Sequence, residues 1–490
     1  MPRLIDLLRS GAITPTVYKR LRTKGYANDL NISLEEINRK FAFAGLVYDV
    51  LVRPDGTETI AVADGVEISR DDEAEKVITA AVLAAPDDGT VLIAAGTYEL
   101  AASTLFYLDP GEQNPFHCCI PTYGKNVHLV GEGPTNTVLR LADEQHDEDH
   151  PVAMILARAE SVMDPGYTSF SVRNMTLDGN RAEQTEWDKD GAALILTGST
   201  REGGIFRDLV LRNSYGSGLY LGNNGSGPEE GAQVSSLVVR NCAAHGIILD
   251  TAHQCYVGDC LIEDCDVTGL YLNGDETAVD SRGNDNLKIR RVQTINASIT
   301  MYCVNGVDMA GVTMDTVDCL TSHGLAIRSS QGVYVANSKF TADKAKTNSY
   351  GGATYIAGGT DGPADVMLEN CVLIGYYGLH GLGGEATSII MAGGAIDAAH
   401  AGIYLGDVEP TIATANLIGT VLRSANYHVD AAEGTACDMQ GCFFDQTPVV
   451  NGDGTIDNLS PLAFCQSDNA TVWANLVAAI LAKENLIASI

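Results

Sequence analysis

The chain has 490 residues, too many for one ordinary compact core, which indicates several domains or one elongated repeat fold. Its 63 acidic and 31 basic residues give a net charge of −32, so the surface repels phosphate backbones and no nucleic-acid partner is expected. A hydrophobic content of 45% excludes a disordered chain.

Residues 1–69 are predicted to form a separate N-terminal module. The segment TVYKRLRTKGY is basic, Ser33 and Glu36 have the spacing of a helix capping box, and residues 47–68 predict a β-hairpin. The start, MPRLIDLLRS, lacks the pattern of a signal peptide. No stretch approaches the roughly 20 apolar residues that span a bilayer, so membrane insertion is not expected. Two interpretations of the module stay open, a cap on the next domain or a docking piece for a larger assembly.

The next segments predict the beginning of a stacked fold. Residues 71–85 predict an amphipathic helix that caps one end of the core. The sequence PDDGTVLIAAGTYEL (86–100) predicts a first coil, and VHLVGEGPTNTVLRL (127–141) predicts the next one.

From Phe170 onward one phrase recurs: a short strand containing Asn or Asp, a turn, a Gly, and a second short strand. Its anchors lie 23 to 29 residues apart, at Gly191, Gly218, Gly246, Gly269, Ser298, Gly324, Gly352, Gly378 and Gly402. A period of this length without helical phase is typical of solenoids. We therefore predict a right-handed parallel β-helix over residues 70–455.

Several details follow from that fold. Leu219 and Leu221 are expected to face inward and Tyr220 outward, and the repeat glycines are expected to permit left-handed corners. Corner Asn and Asp residues are expected to stack in a row made of Asn174, Asp208, Asp259, Asn337 and Asn370.

Five cysteines are expected to line the interior: Cys242, Cys260, Cys265, Cys319 and Cys371. The 12 cysteines show no metal-binding spacing, so buried free thiols are preferred over disulfides, with a zinc site third.

The helix, the strand DGTVLIAAGTYEL and the turn LVGEG together resemble the opening of the pectate-lyase-superfamily β-helix proteins. The resemblance spans roughly residues 70–450. That group includes viral tailspikes and polysaccharide lyases, hydrolases and epimerases, so the resemblance implies the fold more than any one activity. The N-terminal part of a tailspike joins the virion, so the resemblance also favours the docking interpretation of residues 1–69.

The candidate catalytic residues lie in TLDGNRAEQTEWDKDGAAL (176–194). The candidate acids are Asp178, Glu183, Glu186, Asp188 and Asp190. Paired carboxylates roughly 5 to 9.5 Å apart cleave glycosides, and a Lys or Arg beside them could instead serve β-elimination from a uronic acid. Trp187 could stack on a sugar ring. The other interpretation is a solvated acidic loop.

The same region resembles mannuronan C5-epimerases, in which Tyr-Gly is followed at once by an Asp and a His. Here Tyr215-Gly216 is followed by Ser217 and Gly218, so both partners are absent. This departure argues against epimerase or alginate-lyase chemistry at this place.

Outward aromatic residues recur in the second strand of the repeat. The candidate ligand-binding residues besides Trp187 are Tyr220, Tyr271, Tyr355, His380 and Tyr404. On a parallel stack they would form a stripe that either binds glycans or is buried in a trimer interface. His245, His323 and His380 all flank repeat glycines and are interpreted as residues of one structural corner, with a metal- or ligand-binding row as the alternative.

Two function classes stay open. One is a homotrimeric virion surface spike, made in the host cytoplasm, that docks on virion proteins and binds a host glycan or glycoprotein. The other is a free carbohydrate-active enzyme, a lyase or a hydrolase, secreted by a non-classical route. Residues 456–490 predict a helix that caps the last coil or forms a trimer bundle. No metal or cofactor is predicted, and the acidic composition suits either a salt-loving host or an ordinary acidic protein.

Overall fold

A computed structural model describes residues 48–106, 116–146, 151–157, 170–184, 192–198, 204–222, 229–274, 285–316, 324–346, 351–358, 362–382, 387–406, 413–433, 435–445 and 449–457. Each strand of the column pairs in parallel with the equivalent strand one coil further on. The exceptions are the N-terminal hairpin strands and the antiparallel pair Thr104–Phe106 with Phe116–Pro121. The prediction of a parallel β-helix is confirmed.

Each coil, or rung, contributes to three sheets. Sheet A contains Thr104–Phe106, Phe116–Pro121, Val152–Ala157, Ala193–Gly198, Ser217–Gly222, His245–Asp250, Thr268–Asn273, Ile299–Tyr302, Leu325–Arg328, Gly352–Ala357, Tyr427–Ala431 and Val450–Asn451. Sheet B contains Val50–Asp55, Gly89–Ile93, Val127–Gly131, Tyr256–Gly258, Asp285–Arg290, Asn305–Ala310, Gln331–Ala336, Ala364–Glu369, Thr387–Ala392, Ala413–Ile418, Ala436–Gln440 and Thr455–Asp457. Sheet C contains Gly96–Leu100, Thr137–Leu141, Leu261–Cys265, Gln293–Ile295, Thr313–Asp315, Lys339–Thr341, Val421–Ser424 and Phe443–Phe444.

Five long strands run around a corner and belong to two sheets. Sheets B and C share Phe170–Asp178, Ile205–Arg212 and Gln233–Cys242, while sheets C and A share Val372–Leu382 and Ala395–Gly406. A short side ladder joins Glu229–Glu230 to Ala252–His253.

The N-terminal end of the column is closed by a hairpin and a helix. Val50–Asp55 pairs antiparallel with Glu58–Ala63, which confirms the predicted hairpin, and Val66–Asp71 adds a third strand. The first of these strands also pairs in parallel with Gly89–Ile93, so the hairpin continues sheet B. The predicted helix is present over Ala74–Ala84 and buries its apolar face on this end. No helix in the described ranges is long and apolar enough to cross a membrane.

The interior is filled by side chains that alternate along each strand. Leu219 and Leu221 are fully buried and Tyr220 lies on the outer face, as predicted. The cysteines in the described ranges are free thiols. Four predicted interior cysteines are buried, namely Cys242, Cys260, Cys265 and Cys371, and Cys319 lies outside the described residues. A hydrogen bond with Cys242 on the neighbouring rung, together with burial, holds the pKa of Cys265 well above its usual range.

The residues at the corner between sheets B and C adopt the left-handed backbone conformation, with positive φ. The repeat glycines do not lie at this corner. All five predicted Asn and Asp residues of the row have positive φ, between 49° and 58°. On other rungs the row continues with Gly311, Gly393 and Gly419, whose φ lies between 64° and 71°. The prediction for the repeat glycines is wrong: a Cβ on Gly218 would lie 2.7 Å from the carbonyl oxygen of Gly246. These glycines are required because rungs approach closely, not because their φ is positive.

Candidate functional site

The outer face of sheet A carries few charges in the described ranges, and much of it is buried. Strand register defines three outward columns that run along the sheet. The first contains Cys118, Ala153, Ala193, Ser217, His245, Thr268, Gly352, Tyr377, Ala401 and Tyr427. The second contains Pro121, Leu156, Leu196, Tyr220, Ile248, Tyr271, Thr300, Ala326, Tyr355, His380, Tyr404 and Asp430. The third contains Gly222, Asp250, Asn273, Tyr302, Arg328, Ala357, Leu382 and Gly406.

Asp430 is the single Asp, Glu, Lys or Arg in the first two columns, although such residues make up 19% of the chain. The outer faces of the other two sheets carry charges of both signs, for example Lys288 and Asp308 on sheet B and Arg240 and Glu263 on sheet C. Most residues of the first two columns are buried, and most of those that are half-buried carry aromatic rings, so the accessible rings are the feature to be explained.

The five predicted aromatic residues do lie in one column, but the column is interrupted. Ile248, Thr300 and Ala326 occupy the same position on intervening rungs, which leaves two separate aromatic groups. The stripe is therefore aligned as predicted, yet it is not continuous.

In the first group, both tyrosine hydroxyls form hydrogen bonds with neighbouring side chains of the protein. The Tyr220 hydroxyl donates to Asp250 Oδ2 at 2.6 Å, and Asn273 Nδ2 donates to Asp250 Oδ1 at 3.0 Å. The Tyr271 hydroxyl donates to Asn273 Oδ1 at 3.0 Å. The His245 ring stacks on Tyr271 with centroids 4.9 Å apart, and burial lowers the pKa of His245 to about 4. The polar ends of both tyrosines are thus occupied within the protein.

The second group is larger and centres on His380. His380 is 3% exposed and makes edge-to-face contacts with Tyr355 and Tyr404 on the two adjacent rungs, at 5.3 and 5.0 Å. Tyr377 contacts both His380 and Tyr404, at 5.2 and 4.9 Å, and burial raises the pKa of Tyr377. The tyrosines around the buried imidazole are only half-buried, so each retains accessible surface.

The group continues around the corner toward sheet C. Tyr376 stacks on His400 at 4.9 Å with an interplanar angle of 9°, and His400 meets Tyr427 edge-on at 5.4 Å. We call the seven rings the aromatic cluster: Tyr355, Tyr376, Tyr377, His380, His400, Tyr404 and Tyr427. Sequence reasoning missed Tyr376, Tyr377, His400 and Tyr427. The available signal was the YYGLHGL stretch, in which aromatic residues occupy both sides of a repeat glycine.

The interpretation of the histidines as residues of one corner is wrong for His380. His245 pairs with Thr268 in the first outward column, whereas His380 pairs with Tyr355 and Tyr404 in the second. A neighbouring glycine in the sequence does not determine the column in which a histidine lies. In the case of His380, the strand Val372–Leu382 runs continuously around a corner. His323 lies outside the described residues.

The candidate catalytic loop is described only in part. Asp178 ends a long strand and is 8% exposed. Its carboxylate accepts hydrogen bonds from Arg212 Nε at 2.8 Å, Asn213 Nδ2 at 2.9 Å and the Asn180 backbone N–H at 3.1 Å. Glu183 ends the short 3-10 helix Arg181–Glu183 and is exposed. Four further candidates lie outside the described residues: Glu186, Trp187, Asp188 and Asp190.

No family model and no curated protein matches the chain. Solved structures with a similar fold include the pre-mature gene product 12 of bacteriophage phi29, at 11% identity and a TM-score of 0.52, covering 78% of this chain and 54% of that chain. They also include the A-module of the mannuronan C-5 epimerase AlgE6 from Azotobacter vinelandii, at 15% identity and a TM-score of 0.41, covering 79% and 96%. ORF18 of Geobacillus virus E2 aligns at 11% identity and a TM-score of 0.35, covering 86% and 73%.

At 11% identity the likeness to the phi29 protein concerns the fold alone, and the chain spans about half of that protein's length. The strand pairing makes the chain a parallel β-helix.

Proposed function

We propose that the protein is a virion surface spike that binds a glycan on the host surface through the aromatic cluster. The observation that carries this proposal is the set of half-buried tyrosine rings that cluster on the outer face of sheet A in a highly acidic protein. Ring faces offer apolar surface to the CH groups of sugars, while the phenolic hydroxyls offer hydrogen bonds at the edge of the site. A face with few carboxylates also avoids a cost that they would add when a glycan displaces their water.

The rungs give the site a fixed spacing. Tyr355, His380 and Tyr404 lie on three successive rungs, and a rung is about 4.8 Å, so the two tyrosines are separated by about 10 Å along the axis. Their backbones belong to the sheet rather than to loops, which keeps the ring positions fixed before ligand binds. A glycan of several sugar units lying along the column would touch both rings.

The remaining features of the spike are proposed with this function. Residues 1–69 would attach the protein to virion structural proteins, and residues 456–490 would help three copies form a trimer. Residues 1–47 contain eight basic and four acidic residues, whereas residues 48–490 contain 23 and 59. This contrast in sign supports a separate docking role for the N-terminal segment. The similar fold of a bacteriophage gene product is an analogy at the level of fold.

The proposal is tested by adsorption to host cells and to purified envelope polysaccharide. The double variant Tyr355→Ala with Tyr404→Ala should reduce binding at least about tenfold, because each ring contributes on the order of 1 kcal/mol. Tyr334→Ala is the matched control, since Tyr334 faces outward on sheet B. Unchanged adsorption by the double variant, or equal loss by the control, would reject the aromatic cluster as the binding site.

The alternative is a free carbohydrate-active enzyme. The exposed Glu183, five residues after the buried Asp178, is the observation that favours it, because an acid pair in two different environments suits glycoside cleavage. Incubation with envelope polysaccharide followed by product sizing separates the two classes. If fragments appear and Glu183→Gln abolishes them while adsorption persists, the enzyme is favoured over the binding spike.

A further inference from the structure

Arg328 lies at the edge of the aromatic cluster and is fixed on one of its rings. It ends the strand Leu325–Arg328 in sheet A and is exposed. Its guanidinium carbon lies 5.1 Å from the centroid of the Tyr355 ring on the next rung. Ala357, which pairs with Arg328, has too small a side chain to separate the guanidinium from that ring. Arg328 is therefore held by a cation–π contact rather than by a carboxylate.

The absence of an acidic partner distinguishes Arg328 from most arginines of the described ranges. Seven of those arginines form ion pairs with Asp or Glu: Arg70, Arg181, Arg207, Arg212, Arg290, Arg291 and Arg423. Within the described ranges, no carboxylate is paired with Arg328.

Among the described residues, the acids of sheet A nearest to Arg328 lie several rungs away. Asp250 is three rungs back, about 14 Å, and is already hydrogen-bonded to Tyr220 and Asn273. Asp430 is four rungs forward, about 19 Å. In the described part of the chain, no acid therefore competes with a ligand for the N–H edge of the Arg328 guanidinium.

We propose that Arg328 binds a negatively charged substituent of the glycan, so that the site selects anionic glycans over neutral ones. This inference rests on the proposed glycan-binding function. A guanidinium presents paired N–H donors that match the oxygens of a carboxylate, sulfate or phosphate group. A cation–π contact with Tyr355 does not consume the N–H donors of the guanidinium, which can therefore also bind an anion.

The spacing is compatible with one ligand contacting both features. Tyr404 lies three rungs beyond Arg328, about 14 Å along the axis. An oligosaccharide stacked on Tyr404 and Tyr355 therefore reaches the guanidinium with its next units. The protein as a whole repels anions, so a local cation is needed for an anionic glycan to bind.

The test is a panel of immobilised oligosaccharides in which each neutral member is matched by carboxylated, sulfated and phosphorylated members. The full-length protein is compared with Arg328→Gln, Arg328→Lys, Tyr404→Ala and the charge-matched control Arg207→Gln, which removes an exposed arginine on sheet B. Wild type should bind anionic members in preference. Arg328→Gln should weaken that binding about 10- to 100-fold, as expected for a hydrogen bond to a charged group, with a smaller loss for Arg328→Lys.

The possible outcomes separate this inference from the function on which it rests. Preference for neutral members, or anionic binding that Arg328→Gln and Arg207→Gln change equally, overturns the role of Arg328. If Tyr404→Ala nevertheless loses most of its oligosaccharide binding, the glycan site is supported but its selectivity for anionic glycans is rejected. Binding that Tyr404→Ala leaves intact overturns the proposed function itself. The relative affinities for the carboxylated, sulfated and phosphorylated members identify the charged group.

Discussion

The repeat glycines provide a sharp test of how the rungs stack. In Gly246 a Cβ atom would lie 2.6 Å from the carbonyl oxygen of Gly269 and 2.6 Å from Ile262 Cγ2. The first of these neighbours is backbone of the next rung, which cannot rotate away. Gly246→Ala should therefore destabilise the protein by about 1 to 3 kcal/mol, the range for overpacking a core, and Gly246→Asn should be worse.

Gly419 is the matched control because it differs in both respects. Its φ is +64° and a Cβ there would meet no atom within 4 Å. Asn occupies the equivalent left-handed position at Asn337 and Asn370, so Gly419→Asn should change stability by less than about 1 kcal/mol. Urea unfolding with hydrogen exchange of Gln233–Cys242 measures both effects. If Gly246→Asn is tolerated as well as Gly419→Asn, the explanation by close approach is refuted.

Three further predictions concern buried groups. Burial raises the pKa of Glu75 above its ordinary value of 4.5, so ionisation of this carboxyl group destabilises the folded state as the pH rises above 4.5. Glu75→Gln should therefore raise the melting temperature at pH 7 and change it little at pH 4. Asp178→Asn should cost about 1 to 3 kcal/mol by weakening three hydrogen bonds, including that from Arg212, without altering glycan adsorption. Alkylation of the native protein should label the partly exposed Cys303 before the buried Cys242, as peptide mapping would show.

The architecture was predictable from sequence because a solenoid repeats its constraints. The spacing of the glycines, the alternation around Leu219 and Leu221, and the Asn and Asp positions each recur on many rungs, so a single misjudged rung does not change the result. The physical role of the glycines was assigned incorrectly because sequence does not distinguish a requirement for positive φ from a requirement for close approach. Both select glycine, and only the position of the neighbouring rung separates them.

The candidate site was predictable only in part. Tyr355, His380 and Tyr404 share a strand position, so the repeat reveals them. Tyr376 and His400 lie on corners where the register shifts between sheets, and their contact joins residues 24 apart in the chain. Arg328 was missed for a similar reason, since its significance depends on a ring one rung away and on the lack of a nearby acid.

Hydroxyl-radical footprinting with and without bound envelope polysaccharide tests the central claim most directly. Tyr355 and Tyr404 are both half-buried on sheet A, and Tyr334, half-buried on sheet B, serves as the internal reference. We expect the polysaccharide to protect Tyr355 and Tyr404 from oxidation while Tyr334 reacts at an unchanged rate. Protection confined to Tyr334 and its sheet, or bound polysaccharide with no change at Tyr355 and Tyr404, would contradict the assignment of the glycan site to sheet A.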